Sequence, residues 1–361
     1  MKANKLVLVA VLISAGAASI ATLAEDKSGM HKMMPAKAPA KPTLEGELSS
    51  LASATGWLNS QPLTAADLRG KVVLIDVWTY TCINWLRTVP YVRAWAEKYK
   101  DHGLVVIGVH APEFPFERDV DNVRRAAKDM ALPYPIAIDN DFAIWRALRN
   151  VAWPALFFVD AQGRLRHQHF GEGKYEQSER FIQKLLAEAG ATGVSQELVS
   201  VEGAGPEAAA DWGSLRSPET YVGYERAERF AGLLVRDKSR AYTGTARVGF
   251  NQWGLSGDWT VQKGAAVLNK TGGRIAYRFH ARDLHLVMGP AAPGTPVRFR
   301  VLIDGRPPGA AHGIDVDEHG IGTVAEQRLH QLIRQSKPIS DRLFEIEFLD
   351  PGLEAFAFTF G

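Results

Sequence analysis

Cys82 is the single cysteine of a 361-residue chain. It closes a short polar turn, Thr79 to Thr81, behind an apolar, β-branched run that ends at Trp78 and is interrupted by Asp76. After it, Trp85, Leu86, Val89, Val92 and Trp95 recur at helical spacing. The pattern predicts a buried strand giving way to a helix at the cysteine. A helix N-terminus favours thiolate over thiol, and the thiolate is the nucleophile. With no second thiol in the chain, an intramolecular disulfide is excluded. Three outcomes stay open. Cys82 can form a mixed disulfide that an external thiol resolves, or reduce peroxide through an externally resolved sulfenic acid. It can also be inert, as a packed residue or in a covalent dimer.

The elements that would position it follow from periodicity. Residues 71–78 read as a buried strand and the chain to about Lys100 as a helix, after a strand and turn at 57–63 and a short helical segment at 64–70. A second buried strand, 103–110, delivers His110 and Glu113 to the same sheet edge as Cys82, where they are candidates for lining a cleft. An amphipathic helix over 117–131, a short strand at 134–139 and a helix at 142–148 come next. A hairpin from Trp153 to Phe170 and a helix over 176–189 complete an α/β unit. His167 and His169 alternate onto one strand face without an apparent third ligand and read as structural. Residues 191–214, rich in Gly, Ala and Glu, read as a linker, and 215–361 as an all-β sandwich of short alternating runs between Gly/Pro turns.

Composition narrows the class. A net charge of +2 without a basic block gives nucleic-acid binding no support, and 46% hydrophobic residues suit globular domains. Lys2 and Lys5 precede an apolar stretch ending in Thr22-Leu-Ala24, the form of a signal peptide over residues 1–24 or of an uncleaved anchor. The expected location is periplasmic or otherwise extracytoplasmic. Residues 25–43 form a Pro/Ala/Lys linker whose Met30, His31, Met33 and Met34 have the ligand chemistry for copper(I), or simply a mobile tail. No resident metal or other cofactor is expected for the folded parts.

Residues 71–90 resemble the active-site segment of the thioredoxin superfamily, in which a strand carrying one Asp leads into Trp-x-x-x-Cys-x-x-Cys. The spacings from Asp76 and Trp78 to Cys82 match, but Trp85 stands where the second cysteine would be. Trp78-Thr-Tyr-Thr-Cys-Ile-Asn84, Gly108-Val-His-Ala-Pro-Glu113, Ala137-Ile-Asp-Asn140, Trp153-Pro154, and Arg166-His167 with Phe170-Gly-Glu-Gly173 are similar to the exported redoxins of the DipZ and TlpA families. The resemblance covers roughly residues 44–190. It implies a thioredoxin fold, a catalytic set of Cys82, the buried acid Asp76 and a cis Pro154, and substrate contacts from Trp78, Trp85, Trp153, His110 and Glu113. Thr79 matches the Thr-x-x-Cys of peroxiredoxins, but Ile75 holds that motif's proline position, which weakens a one-cysteine peroxidase. Ser217-Pro-Glu-Thr-Tyr-Val-Gly-Tyr224 and the closing Phe-Thr-Phe-Gly361 resemble the carbohydrate-binding-module-like domain of DipZ proteins, with Tyr242, Phe250, Trp253 and Trp259 available to stack on sugars. The implied partners are protein or small-molecule thiols and disulfides, a membrane electron donor or an envelope glycan. The rival to catalysis is a redoxin scaffold kept for binding.

Overall fold

The computed structural model describes residues 46–244 and 248–361; the expected signal peptide, the 25–43 linker and the Met/His group lie outside them. The first folded part is a six-stranded sheet of β1 (Gly56–Leu58), β2 (Val72–Trp78), β3 (Leu104–His110), β4 (Ile136–Ile138), β5 (Ala155–Val159) and β6 (Leu165–Phe170). Their order is β1-β4-β3-β2-β5-β6. β2 pairs parallel with β3 and antiparallel with β5, so the cysteine strand runs through the middle. All seven β2 residues are buried because helices cover both faces, and this is why the strand reads as one apolar run. Beyond α1 (Gly46–Ser49), the helices are α2 (Ile83–Tyr99), α3 (Val120–Asp129), α4 (Ala143–Ala147) and α5 (Tyr175–Glu188). Leu74, Leu156 and Phe158 pack under α2, α3 and α5, while Val73, Ile75 and Phe157 pack under α1 and α4. This is the expected thioredoxin fold. One local expectation fails: residues 65–70 are turns, closed where the Thr64 backbone N–H and hydroxyl both donate to Asp67 Oδ2. Those bonds hold Thr64 and Asp67 in a turn rather than a helix.

The second folded part is a curled antiparallel sheet, in agreement with a β-sandwich. Across it run Ile321–Val324, Val297–Ile303, Arg342–Phe348, Arg274–Phe279, Trp253–Val261, Ala266–Leu268, Leu353–Phe360, Asp283–Pro290 and Arg328–Arg334. Phe299 and Val301 from one side share a core with Leu286, Met288 and Leu332 from the other, which shows the sheet folding over itself.

The two parts do not behave as beads on a string. Phe114 and Phe116 of the first meet Phe356 of the second at ring-centroid separations of 5.3 and 4.8 Å, and Leu329 and Ala357 join the same buried cluster. The 191–214 stretch is irregular, as expected, but it is tied down. Val199 N–H donates to both Glu179 carboxylate oxygens, and Arg93 holds Glu207 with two bonds of 2.9 and 2.6 Å. Among the described residues no helix is long and apolar enough to cross a membrane.

Candidate functional site

Cys82 is the N-cap of α2, as the strand-to-helix reading requires, and it is half-buried. Its Sγ lies 3.8 Å from the carbonyl oxygen of Trp153, whose bond to Pro154 is cis. Trp153 in turn donates from its indole to the Ala111 carbonyl at 3.0 Å. The cis-proline loop, the cysteine turn and the segment after β3 therefore meet at one sheet edge.

Beneath this edge the resolving-cysteine position is occupied by core. Trp85 is fully buried, stacks on Trp78 at 4.3 Å, and its indole N–H donates to Asp76 Oδ2 at 2.9 Å. Gly108 on β3 makes room for this arrangement, since a Cβ there would come within 2.9 Å of the Trp78 indole nitrogen. His110, in register with Trp78 across β2 and β3, is also fully buried, edge-on to Trp78 and stacked on Tyr80. Trp78, Trp85 and His110 are thus enclosed, whereas the expectation placed them against a substrate. The face that carries them is covered by the packing of α2 and the 114–116 segment, which no local pattern reveals. Trp153 and Glu113 remain beside the cysteine edge.

Burial dominates the electrostatics. It pushes Asp76 up to about 7, with the Trp85 indole and the Tyr134 hydroxyl offsetting only part of the shift. It also pushes the Cys82 thiol well up; the Trp85 backbone N–H works against that, and the Glu113 and Glu219 carboxylates add to it. Burial and the two carboxylates therefore work against the thiolate that the helix N-terminus favours.

Asp76 gives a pH-dependence whose sign is fixed. From pH 3.8 to about 7 the folded chain keeps a proton that the unfolded chain has released, so this residue's contribution to stability falls as pH rises through that window. His110 acts in reverse: burial lowers it from 6.5 to about 3, so its contribution is lost as pH falls through that range. Asp76→Asn, which keeps an acceptor for the Trp85 indole, is expected to gain stability relative to the parent as pH is raised from 4 to 7. Urea midpoints across that range measure it, and a difference independent of pH would show that Asp76 ionises normally.

Sequence reasoning missed Glu117. Its fully buried carboxylate accepts the Thr81 hydroxyl at 2.6 Å on one oxygen and the backbone N–H groups of Glu113 and Phe114 at 2.6 and 2.8 Å on the other. Burial raises it to about 7. The available signal was Phe114-Pro-Phe-Glu117, a proline opening a helical turn with an acid two residues later. Also missed were Tyr221 and Arg226 of the β-sheet part. Both donate to Glu113 Oε1, at 2.5 and 2.7 Å. A cleft of about 280 Å³ opens beside this contact, lined by Glu113, Phe114, Tyr221, Arg226 and Lys263 among others.

Three of the four residues expected to stack on sugars, Tyr242, Trp253 and Trp259, are packed into the core. Trp253 and Trp259 are fully buried, with their indoles donating to the carbonyls of Glu228 and Ser256, and Tyr242 is 7% exposed. Alternation along a strand shows that one face is apolar but not that the curled sheet closes over it. Phe250, at 46% exposure, stands outside that core.

Residues 49–186 match the family model described as Redoxin, and residues 217–361 match "Thioredoxin like C-terminal domain". Protein DipZ of Mycobacterium bovis is 34% identical over 322 residues, 88% of this chain and 43% of the relative, so the chain spans less than half of that protein's length. Thiol-disulfide oxidoreductase YkuV of Bacillus subtilis is 28% identical over 145 residues, 40% of this chain and 97% of the relative. Among solved structures, a thioredoxin-like protein in its oxidized form is 30% identical, with a TM-score of 0.37, covering 40% of this chain and 98% of that one.

Proposed function

We propose, from the premise that the chain belongs to the DipZ- and TlpA-like redoxins, that it is an exported thiol–disulfide oxidoreductase working through Cys82 alone. The observation that carries this is Cys82 on the α2 N-terminus facing the Trp153 carbonyl, with position 85 filled by a buried tryptophan. The Cys82 thiolate attacks one sulfur of a substrate disulfide. That S–S bond breaks, a mixed disulfide forms at Cys82, and the other substrate sulfur leaves as a thiolate that takes up a proton. An external thiolate then attacks the substrate sulfur of the mixed disulfide. It forms a new disulfide with that sulfur and returns Cys82 as thiolate. A second external thiolate then attacks the external sulfur of that disulfide and releases the remaining substrate thiolate, so two external thiols together supply the two electrons and leave as their own disulfide. Trp153 and Glu113 are the substrate-facing residues of this reading, and Pro154 shapes the backbone opposite the sulfur. We assign the folded parts to residues 44–190 and 215–361.

The test is exchange with a glutathionylated peptide in the presence of an external thiol. Cys82→Ser is expected to abolish turnover, and turnover equal to the parent would overturn the assignment. The raised Cys82 thiol favours one second reading, a redoxin scaffold that binds envelope partners without catalysis. Mass spectrometry after mixing parent protein with the glutathionylated peptide separates the two. A glutathione adduct on Cys82 supports exchange, and its absence at pH 8 supports binding alone.

A further inference from the structure

We infer that Tyr221 and Arg226, on the β-sheet part, are positioning residues for Cys82, acting through Glu113, Glu117 and Thr81 to hold the cysteine turn closed. The inference rests on the reading of Cys82 as the reactive group, but its geometry is independent of any exchange reaction.

The contacts form a continuous series across the two folded parts. Tyr221 and Arg226 hold the Glu113 carboxylate at 2.5 and 2.7 Å. The Arg226 guanidinium also lies 3.3 Å from the Tyr221 ring centroid, so the pair acts as one clamp. The backbone N–H of the same Glu113 donates to Glu117, and the other oxygen of Glu117 takes the hydroxyl of Thr81, the residue before Cys82. Glu117 is fully buried, so its bond to the Thr81 hydroxyl is made away from competing water, whereas Arg226 reaches Glu113 from a half-exposed position. The Trp153 indole bond to Ala111 adds a second tie between the segment after β3 and the loop facing the sulfur. Docking of the β-sheet part is therefore transmitted to the turn that carries the nucleophile.

The expected consequence is a thiol guarded by its own second domain. Burial is the largest contribution to the raised Cys82 thiol, and the carboxylates facing it are Glu113, from the segment after β3, and Glu219, beside Tyr221. Around Glu113 itself the charged and titratable groups are Arg226, Tyr221, Glu219 and Glu117. Releasing the 113–114 segment admits water to the sulfur and moves Glu113 away from it. Both changes favour the thiolate.

The test is the pH profile of Cys82 alkylation by iodoacetamide in the full chain under native conditions. Tyr221→Phe and Arg226→Met are each expected to shift the midpoint to lower pH and raise the rate at pH 8 by about threefold or more, with Arg226→Lys closer to the parent. Glu117→Ala is expected to do the same, and combining it with Arg226→Met should add little, because both release one series of contacts. Folded Tyr221→Phe and Arg226→Met variants with the parental midpoint would overturn the inference, as would fully additive effects in the combined variant. Should Glu117→Ala not fold, the two β-sheet variants decide by themselves. Alkylation requires no disulfide partner, so a reactive Cys82 without exchange would overturn the exchange reading alone.

Discussion

Trp85→Cys, the substitution that rebuilds a two-cysteine motif, is expected to destabilise the protein by about 3–5 kcal/mol, the usual range for emptying a buried tryptophan site. Two losses combine. The indole is fully buried against Trp78, and a thiol fills only a small part of its volume. The indole N–H also serves Asp76 at 2.9 Å, and its removal leaves that buried carboxyl short of a donor. Trp85→Phe separates these effects: it keeps most of the packing and should lose about 1–3 kcal/mol, mainly from the missing donor. Urea denaturation of the three proteins measures both. A Trp85→Cys variant as stable as the parent would mean that the site collapses around the smaller side chain. From sequence, the same substitution reads as a simple restoration of dithiol chemistry. The structure shows that Trp85 is a piece of the core, so dithiol activity is expected only with compensating changes around Asp76 and Trp78.

Arg87→Ala is expected to cost a similar amount, about 3–5 kcal/mol, because it leaves one charge of a buried pair alone. The Arg87 side chain is 3% exposed and that of Glu172 is 10% exposed; they meet at 3.0 Å, and burial already works against the charge of Glu172. The other arm of the guanidinium donates to the Phe360 carbonyl at 2.8 Å, tying α2 to the last strand of the β-sheet part. Arg87→Met combined with Glu172→Leu removes both charges while keeping apolar volume, and should recover most of the loss. Thermal denaturation of parent, single and double variants gives the result. A double variant no better than Arg87→Ala would place the cost in the Phe360 contact rather than in the unpaired carboxylate.

Much of the frame could be read directly because its determinants are local. The apolar run before Cys82, the helical spacing after it, and the hairpin and closing helix each have their own periodicity, and the structure contains all of them. The helix boundaries differ by a few residues: the segment expected over 117–131 is a short 3-10 turn, Pro115–Arg118, followed by α3. The side-chain roles were less legible. His110, Trp78 and Trp85 sit at positions where related chemistry would place functional groups, yet all three are enclosed. Their enclosure depends on α2 and on Phe114 and Phe116, the latter two anchored by Phe356, more than two hundred residues away.

The sequence by itself determined the single cysteine, its place between strand and helix, the tryptophan three residues after it and the two fold classes, since each rests on residue type and short-range spacing. Only the tertiary structure decided that Trp85 is the partner of Asp76, that burial and two carboxylates raise the Cys82 thiol, and that the second domain reaches the cysteine turn through Glu113 and Glu117. The physical reason is common to all three. Desolvation and cross-domain hydrogen bonds depend on which surfaces close over one another, and a periodic pattern marks a surface as apolar without naming what will cover it.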